Sequence, residues 1–130
     1  MNNEFIPYEE ALELKELGFD ERCFSFYDSE GELYESEGYY IQGHNVLGEE
    51  VIAPTPRQAF KWFREKYSLF TTINVDKTME PKFCYSIDEL QMFDFFGEWK
   101  NIVFNSDLYY TYEEAELDCL KKLIEIAKNK

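Results

Sequence analysis

Apolar residues recur along this chain with two different periods, and each change of period marks an element. Tyr8, Ala11, Leu12, Leu14 and Leu17 follow helical spacing. Pro7 suits the first turn of such a helix, where its missing N–H has no partner to lose. Glu9 and Glu10 complement the positive end of the helix dipole. Gly18 offers the left-handed residue that ends a helix, with Phe19 supplying the apolar contact of a Schellman motif. The spacing predicts a helix over 7–17. Arg22 to Tyr27 then partly alternates and is rich in aromatics, as a strand requires, and Asp28-Ser29-Glu30-Gly31 is a turn signal. Glu32 to Glu35 reads as the returning strand of a hairpin. Gly38 to Gln42 is read as a third strand or a continuation after a bend, and 43–54 as a connector broken by Gly43, Gly48 and Pro54.

The second helix is announced by a capping box, with Thr55 as N-cap, Pro56 at the first helical position and Gln58 reaching back. Ala59, Phe60, Phe63 and Tyr67 form its apolar face, which predicts a helix over 56–67. Three strands follow, at 69–75, 82–87 and 98–104, while 88–96 fits either a helical turn or an irregular strand. Thr111 and Glu114 form a second capping box. Ala115, Cys119, Leu120, Leu123, Ile124 and Ala127 continue from it at helical spacing. The order is α-β-β-(β)-α-β-β-β-α, an α+β class in which an antiparallel β-meander packs against about three helices, because each element has one apolar face to bury. From Pro56 onward the order matches the double-stranded-RNA-binding domain in topology only. That fold presents basic residues where this chain has Glu113, Glu114 and Glu116, so RNA binding does not travel with the topology.

Charge changes the picture more than composition does. The chain of 130 residues carries a net charge of −14 and 45% hydrophobic residues, enough for a folded domain. Residues 1–54 hold 14 acidic and 2 basic side chains, a net of −12; residues 55–130 hold 13 and 11, a net of −2. The expected organisation is a single domain with an acidic α-β-β part over 1–54 and an α-β-β-β-α part over 55–130. Such a balance excludes nucleic acid and anionic membrane surfaces as partners, since both need cationic side chains, and favours basic ones. With no long apolar run and no positively charged leader, a cytoplasmic chain is expected. Aromatic residues make up 18% of the chain, more than its core can hide, so tyrosines are expected at the surface, where ring and hydroxyl both serve an interface.

Candidate catalytic chemistry is sparse. Cys23, Cys84 and Cys119 are widely spaced and sit in apolar stretches, which reads as small buried side chains. The single histidine, His44, lies in a Gly-rich connector with no Cys or second His nearby, so a metal site there would have to be built from carboxylates. Asp28 to Glu32 superficially resembles a calcium loop but lacks its ligand order. No cofactor, metal or catalytic residue is assigned. Carboxylates are abundant, and no single one stands out.

Four segments carry a family resemblance: Glu4 to Glu9, Leu14 to Glu21, Gln58 to Tyr67 and Thr111 to Glu125. Together they resemble small uncharacterised proteins encoded by phages and prophages of gut Bacteroides-type bacteria. The resemblance covers the three helices and implies a phage or mobile-element origin. It transfers no activity, cofactor or site residue.

The expected function is a non-enzymatic, acidic protein-binding module, in one version a DNA mimic or an inhibitor of a host protein. Its candidate contacts are Glu30, Glu32, Glu35, Glu37, Tyr34, Tyr39 and Tyr40. An alternative is a homo-oligomeric accessory protein that pairs through a sheet edge or an aromatic helix face. A carboxylate-based enzyme is the third reading.

Overall fold

A computed structural model of the chain describes residues 4–35, 50–77, 82–89 and 102–130. These form helices α1 (Tyr8–Glu16), α2 (Pro56–Tyr67) and α3 (Tyr112–Lys128), and strands β1 (Ser25–Tyr27), β2 (Leu33–Glu35), β3 (Val51–Ile52), β4 (Leu69–Asp76), β5 (Lys82–Glu89) and β6 (Ile102–Asn105). The α+β class and the order of elements are those the pattern predicts. The strands divide into two three-stranded antiparallel sheets, one ordered β2-β1-β3 and one a meander β4-β5-β6. The chain forms two compact units, Met1–Ala59 and Phe60–Lys130, the division falling inside α2.

In the first unit, α1 ends as its sequence predicts. Gly18 takes φ 95°, and the N–H groups of Gly18 and Phe19 donate to Lys15 O and Leu14 O at 3.0 and 2.9 Å, the bond pair of a Schellman ending. Pro7 is the N-cap rather than the first helical residue, because its ψ of 155° is extended. β1 is the central strand, pairing Tyr27 with Leu33 on one side and with Val51 on the other. β3 lies inside the stretch read from sequence as connector. Its two residues have too short a pattern to register, and what makes them a strand is long-range pairing to Phe26 and Tyr27. The predicted strand at Gly38–Gln42 lies outside the described residues. Ile6, Ala11, Leu14, Cys23, Tyr27 and Val51 are buried. The Tyr27 hydroxyl donates to Ile6 O at 2.6 Å, which satisfies its polar end inside that core. The capping box of α2 forms in full: Gln58 N–H donates to Thr55 Oγ1 at 3.3 Å, and Thr55 N–H donates to Gln58 Oε1 at 2.9 Å. Gln58 Nε2 also donates to Arg22 O, tying the helix start to the approach to β1.

In the second unit, β4 and β5 pair over eight residues without a break, from Leu69 opposite Glu89 to Asp76 opposite Lys82. Asp88 and Glu89 thus extend β5 beyond its predicted end; residues 90–96 lie outside the described residues. Ser68, with φ 56°, is the single residue between α2 and β4 and takes the left-handed turn there. α3 packs on β5 and β4, burying Cys119, Leu120, Leu123 and Ile124 with Leu69, Tyr85 and Ile87. Each such aliphatic side chain contributes about 1.5–3 kcal/mol when fully buried. Thr111 caps α3, its hydroxyl accepting from Glu114 N–H and donating to the Glu114 carboxylate, both at 3.1 Å.

One polar contact fixes α3 to the sheet. Asp118 Oδ2 accepts from the hydroxyls of Tyr85 and Tyr109 at 2.7 and 2.5 Å. Tyr109 is positioned by a two-way backbone bridge to Phe83. Burial, and then the hydrogen bond to Asp118, pushes the Tyr109 hydroxyl up to about 12, and the same causes raise Tyr85 further. Both tyrosines therefore favour the fold while neutral. Their contribution is full below the ordinary tyrosine range near ~10 and is lost as pH rises through the raised values. We expect Asp118→Ala to lower stability by about 2 kcal/mol, since hydrogen bonds to a charged acceptor are lost. Urea denaturation should show a reduced midpoint at unchanged slope. In the parent protein, stability should decline above pH ~10, where unfolded tyrosines begin to ionise.

Candidate interaction site

The β1–β2 hairpin is built around one carboxylate. Asp28 Oδ1 accepts from the backbone N–H groups of Glu30 and Glu32, both at 2.9 Å. The backbone of Asp28 closes the same loop, its N–H donating to Glu32 O and its carbonyl accepting from Gly31 N–H, both at 3.0 Å. Gly31 sits at φ 82°, a conformation that favours glycine, and a Cβ there would lie 3.3 Å from the Tyr8 ring, a tight contact. These donors, Glu32 N–H foremost, hold the Asp28 carboxyl below its ordinary range. Asp28 is thus an ionised acceptor engaged by its own turn, which makes it a poor proton shuttle.

The same carboxylate positions an aromatic ring. Tyr34 lies opposite Phe26 across the hairpin, the two rings stacking at 5.5 Å with 17° between their planes. The Tyr34 hydroxyl bonds to Asp28, and the Asp28 charge, with that bond, raises the Tyr34 hydroxyl above its ordinary range. Tyr34 is nevertheless 50% exposed, and Phe24, in the bend just before β1, is 37% exposed. An exposed ring fixed at both its face and its hydroxyl can meet a partner with little further ordering.

Glu30, Glu32 and Glu35 are exposed along this hairpin, and no basic residue occurs in the sequence between Phe24 and Glu35. The structure therefore brings together four of the seven predicted contacts: Glu30, Glu32, Tyr34 and Glu35. Glu37, Tyr39 and Tyr40 lie outside the described residues, as does His44. The carboxylates surround the hairpin rather than lining one face, because Glu35 shares the Leu33 side of β2 while Tyr34 points to the other. Asp28, Phe24 and Phe26 were missed as site residues. The signal for Phe26 was present: a turn over 28–32 places residue 26 opposite residue 34.

Elsewhere the chemistry is subdued. Burial pushes the Cys23 and Cys119 thiols up to about 12, so both stay protonated and unreactive near neutral pH. Cys84 is half-buried on β5. Asp118 is engaged by two tyrosines that are themselves held neutral. Among the described residues no group of three or more His, Cys, Asp or Glu side chains is placed to hold a metal ion. No helix among them is long and apolar enough to cross a membrane.

Compared with known protein families, with curated proteins and with solved structures, the chain finds no match.

The Asp28 geometry makes a pH prediction of definite sign. A carboxyl depressed in the folded state stabilises above its ordinary range, and that contribution is lost as pH falls through the depressed value. Carbon-detected titration should place the Asp28 midpoint below that of an unstructured aspartate. The Glu30 and Glu32 amide resonances should move with the same midpoint, since both amides donate to that carboxylate.

Proposed function

We propose that this chain is a non-enzymatic binding module, of the phage- or prophage-encoded kind its helices resemble, that docks a basic protein surface in the cytoplasm. The observation that carries the reading is the β1–β2 hairpin, where an exposed Tyr34, stacked on Phe26 and bonded to Asp28, stands beside the exposed turn residues Glu30 and Glu32. An arginine or lysine docking here meets carboxylates for its head and an aromatic face for its stem, a combination worth more together than either alone. The net charge of −12 over residues 1–54 extends the attraction beyond contact distance and speeds encounter, while Tyr34 supplies the apolar anchor.

The distribution of the acids favours a particular form of the reading. A mimic of a DNA backbone needs its carboxylates on one face, and those of the hairpin lie on both faces and around the tip. A hairpin that enters a basic cleft uses them all. Inhibition of a host protein follows if that cleft is the partner's own functional groove.

The test is capture from a bacterial lysate by the tagged chain and by two variants, eluted with rising salt. The parent chain should retain a basic protein that releases at moderate salt, since screening weakens contacts between exposed charges. Glu30→Lys with Glu32→Lys should lose it. Tyr34→Ala should bind with affinity reduced about tenfold, the scale of one aromatic anchor. A partner retained equally by all three proteins would remove the hairpin from the interface. Competition by duplex DNA for the retained partner would restore the DNA-mimic form.

A further inference from the structure

Among the described residues the two sheets present four edge strands, and three of them are unsuited to pairing with another chain. β3 has two residues and β2 has three, the latter flanked by Glu32 and ending in Glu35. β6 has four residues and a register shift at Ile87/Asp88. Beyond its end the ladder is interrupted, and the Ser106 hydroxyl accepts the Tyr85 N–H in place of a backbone carbonyl. Short strands, charges and bulges are the usual means by which proteins keep sheet edges from joining.

β4 has none of these protections. It runs for eight residues in unbroken register with β5, contains no lysine and no proline, and is uncharged from Leu69 to Val75. Among the described residues no strand or loop pairs with its outer edge. Thr72 and Asn74 are exposed, and Val75 is 45% exposed.

The sequence of that edge is self-complementary. Thr71-Thr72-Ile73-Asn74-Val75 reads as β-branched, polar, apolar, polar, β-branched in either direction about Ile73. An antiparallel partner with the same sequence, centred on Ile73, sets Thr71 opposite Val75 on one face and Thr72 opposite Asn74 on the other. Direct cross-strand neighbours share a face, so apolar meets β-branched and polar meets polar throughout. Charge points to the same occupant. In a chain of net −14 this is an edge along which two copies meet without opposing carboxylates, whereas two β2 edges would set Glu32 and Glu35 against their counterparts. A twofold contact needs such a self-matching patch.

We propose that the outer edge of β4 pairs antiparallel with the β4 edge of a second copy of this chain, Ile73 facing Ile73 across the twofold axis, to join two three-stranded sheets into one of six strands. The pairing uses the second unit alone and is independent of the hairpin reading. The two respond to salt with opposite signs: added salt screens the mutual repulsion of two acidic copies and strengthens the dimer, but weakens capture of a basic partner.

The test is sedimentation velocity of the full chain from micromolar to millimolar concentration, at low and at high salt, with two variants whose changes fall only on exposed positions. Thr72→Lys with Asn74→Lys places like charges opposite one another twice per dimer. It should weaken dimerisation about tenfold, even though two added positive charges reduce the overall repulsion. Thr72→Lys with Asn74→Glu places opposite charges there at unchanged net charge and should tighten it. Circular dichroism identical to the parent confirms that both variants fold. A parent chain that stays monomeric at every concentration and salt overturns the proposal, as does a dimer indifferent to either pair of substitutions.

Discussion

A three-residue strand cannot hold a hairpin by itself, and the Asp28 carboxylate supplies what β1 and β2 lack. It takes two backbone N–H groups of the turn, receives the Tyr34 hydroxyl, and so fixes both the path of the chain and the one ring that the hairpin displays. The rest of the site depends on this. The amides of Glu30 and Glu32 donate to Asp28 while their side chains stand exposed, and Tyr34, itself exposed, stacks on Phe26. Gly31 takes the positive φ that this turn needs, on the side of the turn that faces the Tyr8 ring of α1. The display element is thereby anchored to the helix that precedes it.

The second unit uses a carboxylate for a different end. Asp118 faces the sheet and gathers two tyrosine hydroxyls from β5 and from the segment after β6, which fixes α3 over the strands it covers. Its partners are held neutral, and the apolar faces of Leu120, Leu123 and Ile124 do the remaining packing. The contrast separates display from structure within one acidic chain. Asp118, engaged by Tyr85 and Tyr109, holds a helix to its sheet, while Glu30 and Glu32 stand exposed beside an exposed tyrosine.

Much of this was legible in the sequence where the deciding interactions are local. Thr55 with Gln58, Thr111 with Glu114, and Gly18 each act within a few residues of themselves, so helix ends were readable from neighbours alone. The turn at Asp28–Gly31 was readable for the same reason. β3 was not, because Val51–Ile52 becomes a strand only by pairing with β1 some 25 residues earlier in the chain. The extension of β5 through Asp88 and Glu89 depends on partners in Leu69 and Phe70, which supply a ladder that polar residues would not suggest. The Tyr85–Asp118 bond spans 33 residues, and no local pattern marks either residue as a partner of the other. Of the site, the charge and Tyr34 were visible, while the role of Asp28 as the organiser of both had to come from the fold.

The most direct test of the central claim is amide hydrogen exchange on the chain alone and with its captured basic partner. The account predicts slowed exchange concentrated in residues 28–35 on binding, with the slowing reversed as salt is raised. Unchanged exchange across that hairpin, with protection falling on other parts of the chain, would contradict it.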